Sequence, residues 1–455
     1  MTISSAIPQG WANTEIIEVC NIYAGAGFPN EYQGKLSGKY PFYKVSDISN
    51  CVQKGNVYLT FSNNYIDERE LLLLKAKTIP ENTVVFAKIG EALKLNRRAI
   101  TNSECLVDNN AIGIKAKPNI ICDKWLFYFL NTVKLEKYSR ATTVPSVRKT
   151  DIEKIQVLLP PLPEQHRIVG KIEELFSELD KGVENLKLAQ QQLKVYRQAV
   201  LKAAFEQGGL QGTEFSEWVW KPLGEFAEKI RIGPFGSLLH ESDYIHGGVP
   251  VINPKHIRDQ KIVPNLSVTI SLEKKQELSA YLLEENDILL GRRGEMGRTA
   301  YVTNIETGWV CGTGSMFIRL RKNNVAKLYS IFLSAEKTKK YLEAHCTGTT
   351  MKNLNDKIVS NISVPLIPFA EQISIVAEIE SRLSVCDKLE ETIKSSLIQA
   401  ESLRQSILKK AFAGELMQQD PNDEPAEKLL ARIRVERTAQ APVKKTATGR
   451  TKKHG

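Results

Sequence analysis

The sequence predicts an α+β protein made as a pseudo-twofold tandem repeat: two mixed α/β heads, joined by two long helices that pair as a coiled coil. Three observations carry this. Residues 164–205 align without a gap on 371–412 at an offset of 207, and 18 of those 42 positions are identical. Both stretches carry apolar residues at helical spacing and almost no helix breakers. Ahead of each lies a segment of about 150 residues in which short β-rich runs alternate with Gly/Asn turns.

The two helices are the clearest elements. Identities include Glu164-Gln165 with Glu371-Gln372, Ile168-Val169 with Ile375-Val376, Asp180-Lys181 with Asp387-Lys388, Arg197-Gln198 with Arg404-Gln405, and Ala204-Phe205 with Ala411-Phe412. Prolines stop at the entries, Pro160-Pro161-Leu162-Pro163 and Pro365-Leu366-Ile367-Pro368, as they do where helices begin. Heptad lines run through Ile172, Leu179, Leu186, Leu193 and Val200, and through Ile168, Leu175, Gly182, Ala189, Tyr196 and Ala203. The second copy gives Ile379, Cys386, Ile393, Ala400 and Ile407 with Ile375, Leu389, Ser396 and Leu403. An a/d seam of this length calls for a partner helix. At 1.5 Å per residue each rod is roughly 60 Å long.

The heads share a thinner likeness over 11–160 and 218–364: Pro41-Phe42-Tyr43 with Pro250-Val251-Ile252, Gly90-Glu91 with Gly294-Glu295, Thr142-Thr143 with Thr349-Thr350. Strands are expected at Asn56–Phe61, Thr83–Lys88, Ala111–Ile114, Asp287–Leu290 and Ser315–Leu320, and helices at Trp125–Tyr138 and Lys327–His345. The resulting divisions are 1–160 (first head), 161–210 (first rod), 211–365 (second head), 366–416 (second rod) and 417–455, a basic tail expected to be largely disordered apart from a short helix near Glu427–Arg437.

Charge is informative in its distribution. The chain carries +10 in all, of which +7 falls in residues 426–455, where nine cations face two acids. The heads carry +5 and +3, against 0 and −2 on the rods, so a polyanion is expected to meet the heads. No apolar run reaches the length of a membrane span and no secretory leader is recognised at Met1–Gly10, so a cytoplasmic location is expected. Seven scattered cysteines with no Cys-x-x-Cys pair argue against a disulfide framework or a zinc site.

Catalytic constellations are missing. There is no phosphate-binding Gly-x-x-x-x-Gly-Lys-Ser/Thr, no His-Glu-x-x-His and no Gly-x-Ser-x-Gly. Asn253-Pro254-Lys255-His256 has a superficial likeness to the Asn-Pro-Pro-aromatic motif of amino-methyltransferases, but it lacks the second proline and the aromatic that would hold a flipped base. The six histidines do not cluster, and Gly312-Thr313-Gly314-Ser315 reads as a turn.

What remains are basic, polar loops. In the second head Arg292, Arg293 and Arg298 share seven residues with Gly294 and Gly297; the matching stretch of the first head is Lys88-Ile89-Gly90-Glu91, continuing to Lys94, Asn96, Arg97 and Arg98. Glycine admits close backbone approach, and arginine pairs bidentately with guanine edges or phosphates. A solvated turn explains either loop alone; two in corresponding places favour binding. Lys44, Ser46 and Asp47 correspond to Asn253, Lys255 and His256, and Thr142, Thr143, Ser146 and Arg148 to Thr349, Thr350, Lys352, Asn353 and Asn355, polar groups that suit base edges and phosphates and, taken singly, suit ordinary turns as well.

Two variable heads, two near-identical rods and no catalytic motif resemble the specificity subunit of Type I restriction-modification systems. The phrases Leu158-Leu159-Pro160-Pro161-Leu162-Pro163-Glu164-Gln165, Tyr196-Arg197-Gln198-Ala199-Val200-Leu201-Lys202-Ala203-Ala204-Phe205 and Thr142-Thr143-Val144-Pro145-Ser146-Val147-Arg148-Lys149-Thr150-Asp151-Ile152 carry the resemblance. The second head departs from it, with Met351-Lys352-Asn353-Leu354 where the first has Val144-Pro145-Ser146-Val147. The resemblance implies a non-catalytic subunit whose heads are target-recognition domains, each reading half of a bipartite double-stranded DNA site. It implies antiparallel rods that fix the gap, and docking of two modification subunits and two motor-nuclease (restriction) subunits, with no membrane partner. It places no cofactor in this chain; S-adenosylmethionine, ATP and magnesium would serve the partners, the assembly acting as an adenine methyltransferase and ATP-dependent endonuclease. A coiled-coil scaffold without DNA affinity, and a self-contained methyltransferase or nuclease, are the alternative classes.

Overall fold

The computed structural model describes residues 7–139, 144–206, 218–347 and 353–439. The chain divides into two units, one of residues up to 184 together with those from 397 onward, the other of residues 185–396. Both long helices, Leu162–Glu206 and Phe369–Ala411, contribute to each unit.

In the first unit the head is built on a five-stranded sheet in the order Cys20–Ala24, Ala111–Ala116, Val84–Ala87, Arg98–Thr101, Tyr58–Leu59. A second, three-stranded sheet has the order Tyr65–Ile66, Tyr40–Tyr43, Leu106–Val107, with the middle strand antiparallel to the first and parallel to the last. The helix Asp123–Thr132 buries Trp125, Leu126, Phe129 and Leu130 with Val84, Phe86 and Ile100 in one core. Runs of β-branched and aromatic residues buried on both faces, such as Val84–Ala87, explain why these strands are central.

The second unit repeats the plan. Its main sheet runs Ala227–Ile232, Ser315–Leu320, Asp287–Gly291, Thr299–Tyr301, the order of the first four strands of the other head; its second sheet holds Thr269–Ile270, Val249–Ile252 and Val310–Cys311 in the order of the three-stranded one, with Tyr244–Ile245 added at the edge. Buried Asp287 receives two hydrogen bonds of 2.8 Å from Arg319 on the neighbouring strand. That arginine offsets the cost of desolvating the carboxylate.

Each head is closed by its first and last strands. Ala12–Glu15 pairs antiparallel with Gln156–Leu159, and Val219–Pro222 with Ser363–Leu366. The exit strand leads straight into the rod.

The rods run antiparallel within each unit. Arg404 is ion-paired with Asp180 in the first unit and Arg197 with Asp387 in the second, the same pair at an offset of 207. The rod ends are aromatic plugs: Phe412 meets Trp125 and Phe129 edge-on at 5.2 and 5.7 Å, and Phe205 meets Phe332 at 5.2 Å. One heptad line is the seam, with Ile172, Val200, Ile379, Cys386, Ile393 and Ile407 buried. The other line starts buried at Ile168 and Ile375 and then leaves the seam: Tyr196, Leu389 and Leu403 are exposed. A straight helix of 3.6 residues per turn drifts about 20° per heptad, so a single pair of helices does not cover both lines along its length.

Three element expectations change. Lys327–His345 is two helices, Ala326–Ser334 and Glu336–His345, with Ala335 extended between them. Trp125–Tyr138 stops at Thr132, and Leu135–Tyr138 is a separate turn of 3-10 helix. The strand at Asn56–Phe61 shrinks to Tyr58–Leu59. The tail helix is present as Ala426–Ala439, with Ala426 and Leu430 buried in the first unit's core and Arg434 paired to Glu18. Residues 440–455 lie outside the described part.

Candidate DNA interface

The basic loops are held by backbone hydrogen bonds that recur in the two heads. In the first, Val147 N donates to Lys88 O at 2.9 Å, Gly90 N to Pro145 O at 2.8 Å and Lys88 N to Asn110 O at 2.8 Å. Ile89 bridges Ser146. In the second, Leu354 N donates to Arg292 O at 3.0 Å, Arg292 N to Gly314 O at 3.0 Å, and Arg293 bridges Asn353. The end of the central strand of the smaller sheet joins this frame in both. Asp108 N donates to Tyr43 O and Asp108 Oδ2 accepts from Val45 N, while Gly312 N donates to Ile252 O and Asn253 Oδ1 accepts from Gly314 N at 3.1 Å.

The frame brings Lys44, Lys88 and Ser146 together in one head, and Asn253, Arg292, Arg293, Arg298 and Asn353 in the other. Gly90 and Gly294 both have φ near +75 to +79°, which only glycine adopts readily, so the loop turns at the same place in each head. Gly312 is held by contact instead, since a Cβ there would lie 2.5 Å from Asn253 Oδ1.

Arg293 is aimed by Asn353, whose Oδ1 accepts from its Nε at 2.7 Å. Arg292 is half-buried; its Nε has no partner and Nη1 reaches Thr313 O only at 3.5 Å. Burial and the adjacent Arg293 press the Arg292 guanidinium below its ordinary range. Among the described residues neither arginine is paired with a carboxylate. Arg298 differs, since Glu295 accepts from it at 2.7 and 3.0 Å and Pro254 O at 3.3 Å, so its charge is offset within the loop.

Lys44 is half-buried beside Phe28, with its Nζ donating to Gln33; Ser46, Lys255 and Arg148 are exposed. Arg97 is half-buried against the Gln53 amide. Arg98 corrects the sequence expectation. It is 2% exposed within its strand, donates to Asn96 O and Val133 O, lies 5.4 Å from the Phe86 ring, and burial pushes it down to about 9. A side chain enclosed in this way has no face to offer DNA. Thr142, Thr143, Thr349, Thr350 and Lys352 lie outside the described residues.

Sequence reasoning passed over Gln33, Phe28 and Asp108, and read Gly312–Ser315 as a turn without a role. The signal available was positional: Asp108 and Gly312 each follow the short strand that pairs in parallel with the Tyr40–Tyr43 or Val249–Ile252 strand. His256 is buried, its Nδ1 accepting from Asn253 N at 3.2 Å and its Nε2 unpartnered; burial, Lys255 and Arg258 lower its pKa. Among the described residues no group of three or more His, Cys, Asp or Glu could hold a metal ion, and no helix is long and apolar enough to cross a membrane.

The family described as Type I restriction modification DNA specificity domain matches the chain twice, over residues 8–188 and 216–399. The chain belongs to that family. Each match takes in one head and the first part of its rod, the unit of repetition seen in the structure. The StySPI specificity subunit of Salmonella potsdam is 24% identical over 95% of this chain and 96% of its own length. The EcoKI specificity subunit of Escherichia coli K12 is 24% identical over 95% and 97%. Among solved structures, the HsdS subunit from Thermoanaerobacter tengcongensis superposes with a TM-score of 0.58 at 22% identity, covering 91% of this chain and all of that one. A chain from a type I R-M system, solved to describe complex assembly and conformational transition, gives 0.67 at 21% identity over 90% and 100%. The specificity-subunit fold therefore extends over both heads and both rods.

Proposed function

We propose that this chain is the sequence-reading subunit of a Type I restriction-modification complex, each head taking one half of a bipartite double-stranded DNA target. The observation that carries this reading is the duplicated frame: the same backbone bonds present Lys88 and Ser146 in one head and Arg292, Arg293 and Asn353 in the other. Cations without acidic partners suit phosphates, and an arginine fixed by an amide suits a base edge. A scaffold without DNA affinity has no use for two such frames.

The rods hold the heads and set the gap between half-sites. Their exposed apolar side chains, among them Leu188, Val195, Tyr196, Val385 and Leu389 in the second unit, are the surface on which modification subunits dock. Two modification and two restriction subunits supply the methyl transfer and the ATP-driven cleavage, with S-adenosylmethionine, ATP and magnesium bound by them. This chain contributes recognition and no catalytic group. Methylome sequencing of a host with and without the system tests the reading: a new modified motif of two short half-sites around a fixed spacer is expected, and an undivided motif or none would overturn it.

A further inference from the structure

Where each head meets its own rod, two side chains of the rod's first turn reach back into the head in the same way. Glu164 Oε1 accepts from Trp11 Nε1 at 3.0 Å, and Glu371 Oε1 accepts from Trp218 Nε1 at 3.1 Å, both across 153 residues. Gln165 accepts from Cys122 N at 2.8 Å and donates to Ile120 O and Pro160 O at 3.1 and 3.0 Å. Gln372 accepts from Val325 N at 2.7 Å and donates to Asn323 O and Ile367 O at 3.4 and 2.8 Å. Cys122 and Val325 are the N-caps of the helices Asp123–Thr132 and Ala326–Ser334. Each glutamine therefore ties the rod at once to the head's sheet-covering helix and to its exit strand. Gln165 is fully buried and Gln372 is 2% exposed. The loops of the heads differ in sequence; these latches do not.

We infer that the Trp–Glu–Gln latches are positioning elements that fix the angle of each head on its rod and so limit the complex to one DNA spacer length. This rests on the bipartite reading above. A head of about 150 residues has a radius of gyration of roughly 15 Å, so a tilt of roughly a dozen degrees at the latch moves its centre by about one base-pair rise of 3.4 Å. A buried amide with every group satisfied holds a single geometry, because any tilt breaks bonds that water cannot replace. Adding one base pair also turns a half-site by about a tenth of a turn, so loosening a latch broadens the tolerance without abolishing the preference.

The test uses the full chain assembled with its modification subunits. Once methylome mapping has given the native motif, duplexes with unchanged half-sites and spacers one base pair shorter, native, or one longer are methylated with S-adenosylmethionine. Trp11→Phe and Trp218→Phe remove the donor and keep the ring; Gln165→Leu and Gln372→Leu remove the amide. The preference for the native spacer is expected to fall by about tenfold in a latch variant, with the half-site bases unchanged and the double variant more permissive than either single one. An equal loss on all three duplexes, or an unchanged spacer profile in the tryptophan variants, would overturn the inference and leave the latches as supports of folding. An undivided native motif would instead remove the reading on which it rests.

Discussion

Replacing Arg98 by Met preserves a long side chain against Phe86 and removes a charge that has no face to offer DNA, whereas replacing Arg292 or Arg293 by Ala removes a cation that no carboxylate among the described residues offsets. The first is expected to shift the melting temperature and leave DNA affinity and its salt slope alone. Either of the others is expected to cost about 1–3 kcal/mol: relaxed at one position of the site if the contact is to a base, or uniform with a shallower salt slope if to phosphate. Binding measured across salt concentrations with matched and single-mismatch duplexes checks both. His256 supplies a pH dependence. Its folded pKa lies below the ordinary 6.5 or so, so its contribution to stability is complete above that value and is lost as pH falls and the buried ring must take a proton. The second unit is expected to melt lower at pH 5.5 than at pH 7.5, and His256→Gln to flatten that slope; calorimetry at the two pH values reads it.

At the scale of elements, the rods were legible because a long amphipathic period dominates any local preference, and repetition at one offset doubles the signal. Helix ends were less so. Ser334 Oγ donates to Ile331 O, and Thr132 Oγ1 to Phe129 O, so short polar side chains capture the carbonyls that would have continued each helix. The loops could be located but not sorted, because Arg97 and Arg98 differ in burial only through where the strand begins. That register is set by pairing with Val84–Phe86, which no local pattern announces. For the rods the expectation is metrical. Four residues inserted near Glu184–Leu188, with a matching insertion at 396–400, the stretch that faces it in the antiparallel pair, add roughly 6 Å at 1.5 Å per residue. The best spacer should then grow by one or two base pairs with both half-sites retained, as methylome mapping of the variant would show; altered bases with an unchanged spacer would mean the rods are not the ruler.

For the molecule as a whole, recognition and chemistry are expected to separate completely. The purified chain with DNA, S-adenosylmethionine, ATP and magnesium should neither methylate nor cleave, and methylation should appear on adding modification subunits. Radiolabelled methyl transfer and gel analysis of the DNA decide this, with activity tracking the single polypeptide counting against it. The frame that carries the basic loops is made largely of main-chain atoms: Val147 N to Lys88 O and Leu354 N to Arg292 O are the same bond between residues of different identity. On the proposed reading, side chains on these loops can change residue by residue without touching the bend at Gly90 or Gly294 or the bonds behind it. If the loops read DNA as proposed, a change of target is then open to point substitution on a standing scaffold.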